Sequence, residues 1–252
     1  MSKLSLNSKL YIAAVVAIGA GVLAHALLHW SSPSTAAFLV LLPLTLAASR
    51  MRVKLPRMNG LMSVNLPFLL ISAVKLGAGE AFLIAALAGL VQSLPRRGKR
   101  VSVVRAVFNS ATILNAVAAA AWVFSFALGR GAILTLALAA AGAMFFLANT
   151  VPIALVLWLA EKQTPFKTWR AMASLSGPFY TLSAGVAAIV SPATHLVFWA
   201  LGLGLLPLMY SIYTSYKTYF AVQPSLDPST LQSLAADALV KDSHHASAAL
   251  VN

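Results

Sequence analysis

Long apolar runs separated by short polar and basic segments dominate the hydropathy pattern of the chain. A run of about 20 apolar residues is long enough to cross a bilayer as an α-helix. Eight runs of roughly this kind occur, at residues 10–30, 32–49, 60–76, 77–94, 101–128, 131–160, 171–190 and 194–213. The pattern therefore predicts an all-α, polytopic transmembrane bundle of about eight helices over residues 1–220.

Two neighbouring runs, 60–76 and 77–94, are joined by the short sequence Gly77-Ala78-Gly79. Basic clusters precede and follow the pair, whereas the turn itself is flanked by Lys75 and Glu80, which we expect to neutralise each other. Basic residues collect on the cytoplasmic side of membrane proteins. The two runs are therefore predicted to form a helical hairpin that enters and leaves the membrane on the basic side.

The run at 131–160 is the longest and contains Pro152. A single helix kinked at this proline keeps the alternation of the later loops, whereas two separate passes would place the C-terminal tail on the other side. We predict the single kinked helix. Stretches made only of Ala and Gly at 118–121 and 139–143 allow helix backbones to approach closely, so we expect these two helices to form the interior of the bundle.

The distribution of positive charge supports this topology. With the N-terminus in the cytoplasm, 16 of the 18 Lys and Arg residues fall in cytoplasmic segments, and only Lys75 and Arg130 fall outside. A missed or invented pass would invert every later loop and destroy this asymmetry. Both termini are therefore predicted to be cytoplasmic.

Composition narrows the class of protein further. Hydrophobic residues make up 60% of the chain and charged residues only 9%, which is too apolar for a soluble domain. The net charge of +13 is divided among short clusters rather than gathered on one exposed surface, so nucleic-acid binding is not expected. The absence of cysteine excludes disulfides, thiolate metal sites and a thiol nucleophile.

Residues 221–252 differ from the preceding runs in being polar and in containing Pro224 and Pro228. The sequence LQSLAADALV predicts one short helix in this segment, after a Ser or Thr helix cap. About 30 residues are too few for an independent core. We therefore predict a flexible cytoplasmic tail.

Neutral polar residues inside the apolar runs are the candidate functional residues. They are Asn65, Gln92, Asn109, Asn115 and Asn149. Counted from the nearest cytoplasmic charges, all except Asn115 fall in the cytoplasmic half of their spans. These positions predict a layer of polar side chains in that half of the bundle. One interpretation is that these amides form hydrogen bonds between helices. The other is that they bind a small uncharged polar ligand in a pocket closed by the kink at Pro152.

A second group of polar residues is predicted at the opposite membrane surface. His25 and His29 are four residues apart and share one helix face, and His195 begins the last run. Such a group is a weak candidate for a metal or haem, or for pH sensing. Since no further ligand is fixed by the sequence, we predict neither a metal site nor a cofactor.

Catalytic chemistry has little support in the sequence. The chain contains five acidic residues, and none forms a pair within an apolar run. The motifs of P-loop proteins, serine hydrolases, zinc peptidases and dinucleotide-binding enzymes are absent. We therefore expect neither an enzyme nor a carrier driven by protons alone.

Several short motifs follow one another in a recognisable order. They are LPRMNGLMSVNLPFLL at 55–70, Leu-Val-Gln at 90–92, Val-Phe-Asn at 107–109, Leu-Ala-Asn-Thr-Val-Pro at 147–152 and Thr-Trp-Arg at 168–170. Over residues 8–220 the chain resembles the N-terminal membrane region of bacterial signalling proteins that carry HD-GYP or GGDEF domains. The resemblance implies an input module in the bacterial cytoplasmic membrane. The segment LAADALVKDSHH at 234–245 lacks the metal ligands of an HD-GYP domain, so cyclic-di-GMP chemistry is not implied for this chain.

Two functions from different classes are compatible with these observations. The favoured one is a sensor or interaction module that binds a ligand or partner and reports to a cytoplasmic signalling enzyme. The alternative is a substrate-binding uptake subunit, similar to the S components of energy-coupling-factor transporters, with a coupling subunit as its partner. A structural bundle held together by the polar layer is a third possibility.

Overall fold

Seven helices form the described part of the chain. The computed structural model describes residues 5–54, 61–94, 102–162 and 164–190, and positions 207, 210, 211, 213–215 and 218. The helices are α1 (Leu6–Leu28), α2 (Thr35–Arg50), α3 (Leu66–Lys75), α4 (Ala78–Ser93), α5 (Val103–Gly129), α6 (Leu134–Glu161) and α7 (Pro165–Val190). The all-α class is therefore confirmed. The predicted eighth run lies almost wholly outside the described residues, as does the whole tail.

A short antiparallel β-hairpin interrupts the helical pattern. Its strands are β1 (Arg52–Lys54) and β2 (Leu61–Ser63), with Arg52 opposite Ser63. We predicted a helix from residue 60, and this start is wrong because β2 takes up the first residues of that run. Pro67 lies in the first turn of α3, where a missing backbone N–H costs no helical hydrogen bond. The helix therefore begins at Leu66 and contains only 10 residues.

Helix lengths vary more than the apolar runs predicted. In the described residues, α1, α5 and α6 are long and apolar enough to cross a membrane. Helices α2 and α4 have 16 residues each, and α3, at about 1.5 Å per residue, is only about 15 Å long. The length of α3 is about half the thickness of a bilayer's hydrocarbon core. Helix α6 is continuous through Pro152, which confirms one helix in place of two segments.

Contacts between helix ends show the direction in which each helix runs. At one end of the bundle, Ser5 before α1 donates to the carbonyl of Leu159 in α6. Tyr11 of α1 packs near Phe108 of α5, so α1 and α5 begin at this same end. At the other end, Ser32 after α1 donates a hydrogen bond to Glu80 at the start of α4. Successive described helices therefore run in opposite directions through the bundle.

The hydrophobic core lies around α3 and α5. Residues Leu66–Ser72 of α3 are all buried. Helix α5 packs against α1, α3, α4 and α6, and the inner face of its alanine-rich stretch is buried at Ala116 and Ala120. This agrees with the predicted interior position of α5. In α6 the stretch 139–143 is only partly interior: Ala141 and Gly142 are buried, whereas Ala139 and Ala143 are exposed on the side that α6 shares with α7.

Candidate functional site

The predicted site residues lie at several different helix contacts. Asn65 is buried just before α3, where its Nδ2 donates a 2.8 Å hydrogen bond to Ser49 Oγ at the end of α2. The carbonyl of Gln92, in the last turn of α4, accepts a 2.6 Å bond from Arg52 Nη1. These two contacts fasten the β-hairpin and its flanks to the ends of α2 and α4.

Two further asparagines lie on α5 and bond to different neighbours. Asn109 Nδ2 donates to the Gly89 carbonyl at 3.2 Å and to Ser93 Oγ at 3.1 Å, both on α4. Asn115 Nδ2 donates to the Val15 carbonyl of α1 at 3.1 Å. Six residues on a helix turn the chain by about 240°, since each residue adds about 100°. Asn109 and Asn115 therefore face different helices and do not line one common wall.

Asn149 joins the last two described helices. Its Nδ2 donates a 2.7 Å hydrogen bond to the hydroxyl of Tyr180 on α7. Asn149 Oδ1 is buried and has no hydrogen-bond partner among the described residues. A buried polar atom left without a partner is unusual in a folded protein.

A half-open cavity of about 360 Å³ lies between α6 and α7, and Tyr180, the partner of Asn149, is one of its lining residues. Small residues form most of its wall, and Phe146 and Tyr180 supply the aromatic part. Six of the residues that line it are Gly142, Ala143, Phe146, Gly177, Tyr180 and Gly185. Pockets that bind small molecules have volumes from about 300 to 1,000 Å³. The cavity is therefore within the range that holds a small ligand.

Glycine positions explain why there is space between the two helices. At Gly142 a Cβ would lie 2.9 Å from Ala184 Cβ, so the helices are in close contact there. At Gly177 and Gly185 a Cβ would meet no atom within 4 Å. The absence of side chains at these two positions leaves the space open.

An aromatic cluster borders the cavity. The rings of Phe146 and Tyr180 meet edge to face with centroids 4.9 Å apart, and the ring of Trp169 lies 6.3 Å from Phe146. Trp169 Nε1 also donates to Thr150 Oγ1 at 3.1 Å. Since Trp169 and Tyr180 belong to α7 and their partners to α6, the cluster fixes the relative position of the two helices.

Of the predicted site residues, Asn149 is the one that bonds to a residue lining the cavity, Tyr180. Gly177 and Tyr180 were not predicted as site residues. They belong to the apolar run after that of Asn149, and the sequence of this run does not reveal which helix it packs against. A usable signal was present, since Gly177, Thr181 and Gly185 follow one another at intervals of four residues. This spacing places three small side chains on one face of a helix.

The histidines that were weak metal candidates, His25, His29 and His195, are not seen to form a metal site within the described residues. The rings of His25 and His29 are exposed and 4.4 Å apart, and His29 Nδ1 lies 2.9 Å from the His25 carbonyl. This contact caps the end of α1. Within the described residues no three His, Cys, Asp or Glu side chains come together, and His195 lies outside those residues.

Glu80 is the acidic residue buried in the core of the described bundle. Its Oε1 accepts a hydrogen bond from Ser32 Oγ and its Oε2 accepts one from the backbone N–H of Gly77 at 3.4 Å. The carboxylate lies in the first turn of α4, where the helix dipole favours negative charge. These contacts assign Glu80 a structural role in joining the α1–α2 loop to α4.

The described helices form an apolar bundle in which neutral amides join neighbouring helices. The sequence model of the MASE9 family, a family of membrane-associated sensory domains, matches residues 12–221. The chain therefore belongs to the MASE9 family. The chain matches no curated protein and no solved structure.

Proposed function

We propose that the chain is a non-catalytic sensory module of the bacterial cytoplasmic membrane, which responds to a small molecule bound between α6 and α7. Membership of the MASE9 family supports a sensory role. The resemblance to the membrane regions of HD-GYP and GGDEF proteins supports a cytoplasmic signalling enzyme as its partner. The cavity beside Asn149 and Tyr180 is the observation that carries the choice of site.

The proposed response is a change in the contact between α6 and α7. Gly177 and Gly185 have no side chains that would keep α6 and α7 apart across the cavity. A ligand that fills the space stabilises the arrangement in which the cavity is open, and without it the helices are free to close. A ligand shifts such an equilibrium only through its different affinity for the two arrangements. The movement of α7 would carry the signal to the cytoplasmic side.

The proposed orientation places the N-terminal end of α1 and the C-terminal end of α6 in the cytoplasm. Described basic residues at this end include Lys9, Arg105, Lys162, Lys167 and Arg170, whereas Lys75 and Arg130 lie at the other end. The positive-inside rule supports this assignment. With an eighth pass after α7, the tail is also cytoplasmic.

A pair of leucine variants tests the proposed site. Gly177→Leu fills the cavity, and Gly21→Leu is a matched control because a Cβ at Gly21 also meets nothing within 4 Å. Native mass spectrometry of protein released from its own membranes should show a small-molecule adduct on the wild type and on Gly21→Leu. The adduct should be absent from Gly177→Leu. An unliganded wild type carrying only phospholipid would contradict ligand binding at this site.

The sensory role needs a readout in cells. Replacing the chromosomal copy in the native host by Gly177→Leu should change the cellular level of cyclic di-GMP, and Gly21→Leu should leave it unchanged. Equal levels in the wild type and both variants would overturn the proposed link to cyclic-di-GMP signalling, whatever the cavity binds.

A further inference from the structure

Three side chains at the end of α5 form a ladder on the outside of the described bundle. Trp122, Phe126 and Arg130 follow one another at intervals of four residues, so they share one face. The rings of Trp122 and Phe126 are stacked with centroids 5.6 Å apart, and Arg130 Cζ lies over the Phe126 ring, 5.0 Å from its centroid. Trp122 is 64% exposed and Phe126 is 51% exposed. The described helices therefore leave this aromatic face uncovered.

The ladder extends from the membrane surface into the hydrocarbon. Helix α5 is long and apolar enough to cross a membrane, and Arg130 comes directly after its last residue, Gly129. Trp122 lies eight residues earlier, which is about 12 Å along the helix axis. One leaflet contributes about 15 Å to a hydrocarbon core of about 30 Å. With Arg130 at the headgroups, Phe126 and Trp122 therefore lie beside the acyl chains of the same leaflet.

The contact with Phe126 leaves the hydrogen-bond donors of Arg130 available. Attraction between a guanidinium and a ring face uses none of the five N–H groups. Within the described residues the Arg130 side chain makes no hydrogen bond or ion pair. A guanidinium held by a ring offers its N–H groups in the fork that binds two oxygens of one phosphate.

The backbone after α5 holds Arg130 in place. The N–H of Gly131 donates to the Leu128 carbonyl at 2.9 Å, and the N–H of Ala132 donates to the Ala127 carbonyl at 3.0 Å. Gly131 has a φ of +83°, the left-handed conformation that ends many helices. These bonds satisfy carbonyls at the negative end of the helix, which weakens their repulsion of an anion near Arg130.

The charges at this end of the bundle favour an anionic headgroup over a zwitterionic one. Glu80 is the described acidic residue at this end, and it is buried with hydrogen bonds from Ser32 and Gly77. Glu161 lies at the opposite end of the bundle. The ammonium group of a zwitterionic lipid therefore meets no exposed carboxylate among the described residues here, whereas a phosphate meets Arg130.

We propose that the ladder binds one phospholipid of net negative charge. Its phosphate accepts hydrogen bonds from the Arg130 guanidinium, and one of its acyl chains covers the rings of Phe126 and Trp122. This lipid site uses none of the residues that line the α6–α7 cavity and does not depend on the function proposed for that cavity.

The test compares two photoreactive lipids that have identical chains, with a diazirine in one acyl chain of each. One probe has a phosphatidylglycerol headgroup and the other a phosphatidylcholine headgroup. The full chain is reconstituted in phosphatidylcholine vesicles that contain a small fraction of one probe, and cross-links are mapped by mass spectrometry of proteolytic fragments. Leu182 is the reference position, because it is exposed and lies eight residues before the end of α7 at Val190, at a depth similar to that of Trp122.

The readout is the ratio of cross-linking by the anionic probe to cross-linking by the zwitterionic probe. At residues 122–126 of the wild type this ratio should be about fivefold higher than at Leu182, which is the effect of one partly solvated ion pair. Because the probes differ only in their headgroups, the reactivity of each position and a general loss of stability do not alter the comparison.

Variants assign the preference to the ladder. Arg130→Gln should abolish it, and Arg130→Lys should retain only part of it, because lysine keeps the charge without the planar fork. Phe126→Leu should also lower it, since the guanidinium loses the ring that holds it. Lys75→Gln removes one positive charge from the same end of the bundle and should leave the preference unchanged.

Three results would overturn the proposal. The first is an equal ratio at residues 122–126 and at Leu182 in the wild type. The second is an equal loss in Arg130→Gln and Lys75→Gln, which would assign the preference to general surface charge. The third is cross-linking at Leu182 with none at residues 122–126 by either probe, which would show that protein covers this face of α5.

Discussion

Gly89 of α4 lies directly against Ser110 of α5, so that a Cβ at position 89 would be 2.5 Å from Ser110 Cα. Two hydrogen bonds accompany this contact. Ser110 Oγ donates to the Ala86 carbonyl at 2.7 Å, and Asn109 Nδ2 donates to the Gly89 carbonyl at 3.2 Å. Small residues and polar side chains are the means by which helices associate where lipid removes the hydrophobic driving force. The α4–α5 contact uses both.

Gly89→Ala should destabilise the bundle by about 1–3 kcal/mol, because the added methyl group has to displace the backbone of α5. Thermal unfolding in detergent measures the change. Gly21→Ala is the control, since its new Cβ meets no atom within 4 Å and alanine is the better helix former. We expect this control to unfold at the wild-type temperature or slightly above it. An equal loss in both variants would show that close contact at Gly89 is unimportant.

The bond between Ser32 and Glu80 should contribute to stability at the opposite end of the bundle. Ser32→Ala removes a donor from the carboxylate of Glu80, which is 0% exposed, and should cost about 1–3 kcal/mol. The measurement is again thermal unfolding, with Ser174→Ala as control because Ser174 is exposed and bonds only within its own helix. Ser174→Ala should unfold like the wild type.

A double-mutant cycle decides whether Ser32 and Glu80 act together. If the hydrogen bond accounts for the effect, Ser32→Ala should cost little once Glu80→Ala is present, with a coupling energy of about 0.5–3 kcal/mol. Additive effects would refute a direct interaction between these two residues and assign the loss to packing of the α1–α2 loop.

The apolar runs were sufficient to predict the seven described helices but not their lengths. The run at 60–76 has the composition of a span, yet its first residues pair as a strand with β1 and Pro67 begins the helix later. Strand pairing of Arg52 with Ser63 joins residues on two different segments, which hydropathy along one segment does not reveal. The short helix α3 is stable in this position because its neighbours bury residues Leu66–Ser72.

Polar residues were easier to find than their partners. The sequence identified Asn109, Asn115 and Asn149 as amides inside apolar runs, and the structure gives each of these half-buried side chains a hydrogen bond to another helix. Which helix each one faces depends on its rotation around its own axis and on the packing order of the bundle. For that reason Tyr180, 31 residues after Asn149, did not emerge as a site residue from sequence alone.

The direction of the chain across the membrane is testable because the sequence contains no cysteine. Single cysteines introduced as Arg130→Cys and Lys162→Cys lie at exposed positions beyond opposite ends of α6, whose 28 residues are about 42 Å long. In the predicted topology 16 of the 18 basic residues lie on the side of Lys162, which favours a cytoplasmic location for that side. A membrane-impermeant maleimide should therefore label Arg130→Cys in intact cells, and label Lys162→Cys only after permeabilisation. The reverse pattern would invert the orientation, and labelling of both cysteines in intact cells would contradict a membrane-spanning α6.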